Sequence, residues 1–95
     1  SMMTAPLIKT VVALASQSIR VEGQVIIDDA PLPASTVHSR DAEGRPMAPW
    51  TGGVVPEGEL FLHSDFVGSY DSRYFGPLPA AGILGLAREV LTFTP

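Results

Sequence analysis

The sequence predicts a mainly β fold, and three observations carry that prediction. Its apolar residues fall in short runs rich in Val, Ile, Leu and Phe, of strand length. Glycine and aspartate pairs stand between those runs where tight turns are needed. Five of the nine prolines crowd into residues 31–56, where they exclude regular strand or helix.

Each element follows in order. Residues 1–3, "SMM", read as an expression scar followed by start-like methionines, and residues 1–5 as a disordered start. "PLIKTVVAL" (6–14) is a β-branched and aliphatic run with one lysine inside it, short enough to favour a strand. "SIRVEGQVIID" (18–28) predicts two short strands around a turn at Glu22 and Gly23, and Asp28 with Asp29 a second turn. Residues 31–56 are expected to form a long Pro/Gly-rich loop across one face. "GELFLHSDF" (58–66) alternates as a strand would, and "AAGILGLAREVLTF" (80–93) fits strand or helix, with the flanking Pro79 and Thr-Phe-Thr favouring strands.

Ninety-five residues hold one domain with one modest core. A hydrophobic share of 45% against 17% charged residues implies tight packing, or surface that belongs against something else. The net charge is −4 and the six basic residues are scattered, so no positive stripe exists for nucleic acid. The chain lacks cysteine, which excludes disulfides, thiolate metal sites and cysteine nucleophiles. His38 and His63 lack a metal-binding spacing, and neither a metal nor another cofactor is expected. The longest apolar run, "VVALA", is far short of the ~20 residues that cross a bilayer.

Two polar features need weighing. Lys9 is the only lysine and sits among Leu7, Ile8, Val11 and Val12. Periodicity alone favours an edge-strand lysine whose charge blocks unwanted pairing. The sharper alternative is a desolvated ammonium of lowered pKa, able to act as a general base. Asp71 and Arg73 read as an ion pair that pins a turn, and Ser69, two residues earlier, as a hydroxyl that such a turn could aim.

Order and spacing then raise a family. "VPEGELFLHSDFVGSYDSRYFGPLPAAGILGLA" (55–87) resembles the last characteristic block of bacterial type I signal peptidases, the serine-lysine membrane proteases. Its x-Pro-x-Gly-x-x-Phe entry, its Ser-x-Asp-Ser-Arg-Tyr-aromatic-Gly core and its Ile/Leu-x-Gly-x-Ala tail carry that likeness. "LIKTVVALASQSIRVEGQVIIDDAPL" (7–32) is similar to the preceding block, which contains the general-base lysine. With "RDAEGRPMAPW" and the short loop, the chain is most similar to the conjugative-transfer, pilin-processing subfamily. Two departures stand out: "ALASQS" (13–18) replaces the family's Gly-x-Pro-Gly-Asp, and "HSD" (63–65) its Gly-Asp-Asn.

The resemblance implies a mainly β, signal-peptidase-like coiled sheet or partial barrel, incomplete at its N-terminus, with residues 6–95 as the C-terminal part of the catalytic domain. It implies that Lys9 is the general base, that Ser69 orients Lys9, and that Asp71 and Arg73 support the loop. Pro6, Leu7 and Ile8 would form one side of a groove that docks a signal-peptide or propilin substrate by backbone pairing. The family's nucleophile, in a Ser-Met-x-Pro type segment, lies upstream of the lysine, and Ser1-Met2 is too close to Lys9 to be it. The stretch is therefore expected to be inactive alone. Its parent would be anchored in the inner membrane with this part in the periplasm. An open edge and apolar groove beside residues 6–14 are expected to favour a homodimer or strand-swapped form. The alternatives are a degenerate, non-catalytic domain that binds peptides by strand addition and, last, a self-cleaving serine-lysine repressor domain.

Overall fold

The computed structural model describes residues 9–65, 70–81 and 91–93. Among them the chain forms β1 (Lys9–Ala13), β2 (Ser18–Val21), β3 (Val25–Ile27), β4 (Ala30–Pro31), β5 (Gly53–Val54) and β6 (Glu59–His63). A one-turn helix α1 (Ser72–Phe75), β7 (Leu78–Pro79) and β8 (Leu91–Phe93) complete it. One sheet runs β7-β6-β1-β8, the other β4-β3-β2-β5. Neighbours are antiparallel except β1 and β8, which run parallel. The mainly β expectation holds, as two open sheets and not a closed barrel.

β6 explains how so short a chain builds two apolar clusters. Leu60, Phe61, Leu62 and His63 are all buried in succession, so both faces of this strand are covered. Leu60 and Leu62 pack with Val11 on one face, where Leu78 and Ala80 join them. Phe61 points the other way into a cluster with Ala13, Ile19, Val25 and Val55, with Trp50 against it at 5.9 Å between ring centroids. Val11 and Ala13 would face the same side of a regular strand. The pairing register slips between them, so that Val11 meets Leu62 and Ala13 meets Phe61. That bulge lets β1 feed both clusters.

The turns follow the residues that build them. Gly23 takes a φ of +73° between β2 and β3. Asp28 and Asp29 both have positive φ between β3 and β4, as a two-residue type I′ hairpin turn demands. Residues 31–56 are mostly irregular, though Gly53 and Val54 pair with β2 as a short strand that the proline content hid.

Three expectations need correction. β1 is not an edge: β6 lies on one side and β8 pairs with Lys9, Thr10 and Val11 on the other. Over those residues the edge expected to be open, and with it the edge-strand reading of Lys9, is closed by the chain's own later strand. Second, Ser72–Phe75 is helical, because the Asp71 side chain accepts the Arg73 N–H and caps one turn. Third, the strand reading of 80–93 holds at Leu91–Phe93, whereas Ala80 and Ala81 are helical; the stretch between lies outside the described residues.

Candidate active site

The segment after β6 is organised by one buried ion pair. Asp71 is fully buried and Arg73 is 4% exposed. The Asp71 carboxylate accepts from the Arg73 side chain at Nε (2.8 Å) and Nη2 (2.9 Å), and from the backbone N–H groups of Arg73 (3.0 Å) and Ser64 (2.9 Å). The fork of a guanidinium fits both carboxylate oxygens at once, which an ammonium could not do. Arg73 also donates to the carbonyls of Thr36 (2.7 Å) and Ser64 (3.2 Å). Its own carbonyl accepts from the Trp50 N–H at 2.8 Å. The pair therefore joins α1, the end of β6 and two points of the proline-rich loop.

Neighbouring groups extend the network. Ser72 Oγ accepts from the Leu62 N–H at 2.9 Å, seating α1 on β6. His63 is a core histidine whose Nε2 donates to the Ala34 carbonyl at 2.8 Å. Tyr74 Oη accepts from the His38 N–H at 3.1 Å. The departure "HSD" thus has a physical account: Ser64 meets Asp71 through its N–H and Arg73 through its carbonyl, and neither bond needs a side-chain carboxylate at that position.

Lys9 opens β1 beside this cluster. Its Nζ donates to the Tyr70 carbonyl at 2.8 Å. The side chain is half-buried, and desolvation pulls its pKa below the ordinary lysine value. The Asp71 carboxylate opposes that shift and the Arg73 guanidinium adds to it. Pairing between Asp71 and Arg73 therefore has an electrostatic result at Lys9: the carboxylate that would hold the ammonium protonated is offset by the adjacent guanidinium.

The structure brings together three of the residues singled out in the sequence, Lys9, Asp71 and Arg73. Ser69, Pro6, Leu7 and Ile8 lie outside the described residues. Sequence reasoning missed Tyr70, whose backbone meets Lys9 and whose ring stacks on Tyr74 at 5.7 Å with 6° between planes. The available signal was the i, i+4 spacing of two tyrosines on either side of a helix-capping aspartate. Tyr70 and Tyr74 also line a cleft of about 660 Å³ whose other wall is the turn around Asp41, Glu43 and Arg45.

Comparison with known proteins bears on the family of the chain. The sequence profile of the family described as "Signal peptidase, peptidase S26" matches residues 2–92. The chain is 60% identical over 91 residues to a probable conjugal transfer protein TraF of Sinorhizobium fredii, covering 96% of this chain and 48% of that protein. It is 59% identical over 91 residues to the conjugal transfer protein TraF of Agrobacterium fabrum, covering 96% and 52% respectively. A plasmid transfer protein TraF of Escherichia coli is 34% identical over 85 residues, covering 86% of this chain and 44% of that protein. The chain spans about half the length of the curated relatives it matches.

Proposed function

The chain belongs to the signal peptidase, peptidase S26, family, and from that premise we propose that it carries the general-base half of a serine-lysine peptidase acting in conjugal transfer. The observation that supports this reading most is Lys9 itself, the only lysine, half-buried beside the Asp71–Arg73 pair with its pKa pulled down by desolvation. A lysine must lose its proton before it can take one from a hydroxyl, and burial moves Lys9 in that direction by disfavouring its charged form.

In this reading the neutral Lys9 amine removes the proton of a serine outside the described residues. The serine oxygen attacks the scissile carbonyl of an exported precursor, a signal peptide or propilin, and the ammonium so formed returns a proton to the leaving amine. Ser69 aims Lys9, and Pro6, Leu7 and Ile8 pair with the extended substrate on the approach to β1. The site works at the periplasmic side of the inner membrane. No helix among the described residues is long and apolar enough to cross a bilayer.

The test compares the 95-residue chain with the full-length gene product on a propilin peptide. The chain alone is expected to leave the peptide uncut and the full-length protein to cut it. Lys9→Ala in the full-length protein is expected to lower kcat/KM on the order of 10³-fold. Because a base works only when deprotonated, kcat/KM should rise with pH through the lowered Lys9 pKa and level off above it. Full activity in Lys9→Ala, or a flat profile on the acid side, overturns the reading.

A further inference from the structure

We propose that Tyr70 is a positioning residue for Lys9: its ring, clamped between Tyr74 and Phe75, fixes the backbone carbonyl that receives the Lys9 amine. Three observations meet in this one residue. Its carbonyl accepts from Lys9 Nζ at 2.8 Å, across 61 positions of sequence. Its ring lies parallel to Tyr74 at 5.7 Å and meets the edge of Phe75 at 5.3 Å and 61°. Yet Tyr70 belongs to no strand or helix, and its side chain is 58% exposed. The carbonyl shares a peptide plane with Asp71, which the buried pair holds from one side, and the aromatic contacts hold Tyr70 from the other.

The clamp is itself anchored. Tyr74 is 8% exposed, its hydroxyl accepts from the His38 N–H, and the Arg73 guanidinium lies 5.6 Å from its ring centroid. A buried tyrosine therefore supports an exposed one. An amine held at a fixed carbonyl keeps one direction and one degree of exposure. If the carbonyl shifts, the ammonium loses a hydrogen-bond acceptor and its exposure changes, and both act on its pKa.

This rests on the reading of Lys9 as the base, but its test does not need catalysis. Lys9 is the only lysine, so growth on 13C-lysine labels one side chain, and its Cε resonance reports the titration directly. In Tyr70→Ala the titration midpoint is expected to move away from that of the parent, because both the acceptor and the exposure of the amine change. Tyr70→Phe keeps the ring and should titrate with the parent. Phe75→Leu loosens the clamp from its other side without touching Tyr70, and should move the midpoint in the same direction. Trp50 fluorescence checks that each variant is folded. Should Tyr70→Ala fail to fold, the Phe75→Leu titration decides alone. The proposal is overturned if the folded alanine or leucine variant titrates with the parent, or if Tyr70→Phe moves as far as Tyr70→Ala. A failed clamp leaves Lys9→Ala activity unaltered as a test of the base, so the two readings fail separately.

Discussion

The Arg73 guanidinium bonds to the Asp71 side chain, to Thr36 and to Ser64, and at 4% exposure it has little water to fall back on. Arg73→Met would leave the fully buried Asp71 carboxylate without its counter-charge. Breaking one side of a buried pair typically costs about 3–5 kcal/mol, and urea denaturation of the variant is expected to show a loss of that size. Arg73→Lys should recover only part of it, since an ammonium cannot bridge both carboxylate oxygens while reaching two carbonyls. Combining Arg73→Met with Asp71→Asn should cost less than the sum of the single changes, because the second change removes the charge the first one stranded. The pairing of these two residues was legible in the sequence, because an Asp-Ser-Arg spacing next to an aromatic leaves few other uses for the charges. For Tyr70 the spacing to Tyr74 hinted at the ring contact, but the bond of its carbonyl to Lys9 was not legible, because no side-chain pattern records where a carbonyl points.

The turn after β1 shows how an element survives the loss of its usual residues. Laid on Gly-x-Pro-Gly-Asp, "ALASQ" puts Ser16 at the second glycine, and Ser16 keeps a φ of +79° that glycine would hold without strain. Side chains compensate. Gln17 Oε1 accepts from the Leu14 N–H at 2.8 Å, and Gln17 Nε2 donates to Asp28 at 3.0 Å. Asp28 also accepts from the Ser18 N–H at 2.9 Å, and these bonds hold its carboxyl below the usual range. Ser16→Gly is expected to raise stability by about 0.5–1 kcal/mol, read as a higher urea midpoint at unchanged slope. Strands β1, β2, β3 and β6 were legible from β-branched and aliphatic runs and turn residues, whereas the two-residue strands β4, β5 and β7 were not. The helix α1 was not, because four residues offer no periodicity and only the cap defines it. The position of β1 inside its sheet was also hidden, since its parallel partner β8 comes some 80 positions later and nothing local announces a long-range pairing.

Over the whole molecule, the two sheets are bound by shared groups. Phe61 of one sheet packs with Ile19 and Val25 of the other, and the Arg73 network at the end of β6 fastens the loop between β4 and β5 of the other sheet. Trp50 touches both devices, through its ring against Phe61 and its N–H to Arg73. Unfolding followed by Trp50 fluorescence and by far-ultraviolet circular dichroism should therefore give one coincident transition. Two separated midpoints would mean that the sheets melt independently. The hydrogen bond between Lys9 and Tyr70 also sets an order in time. A ribosome delivers Lys9 early and Tyr70 only after 61 more positions, with Arg73 later still. Until that late segment emerges, the lysine has no Tyr70 carbonyl to face and neither charge of the Asp71–Arg73 pair beside it. In a nascent chain Lys9 is an ordinary exposed amine, and its half-buried setting forms only once residues 70–73 have been made.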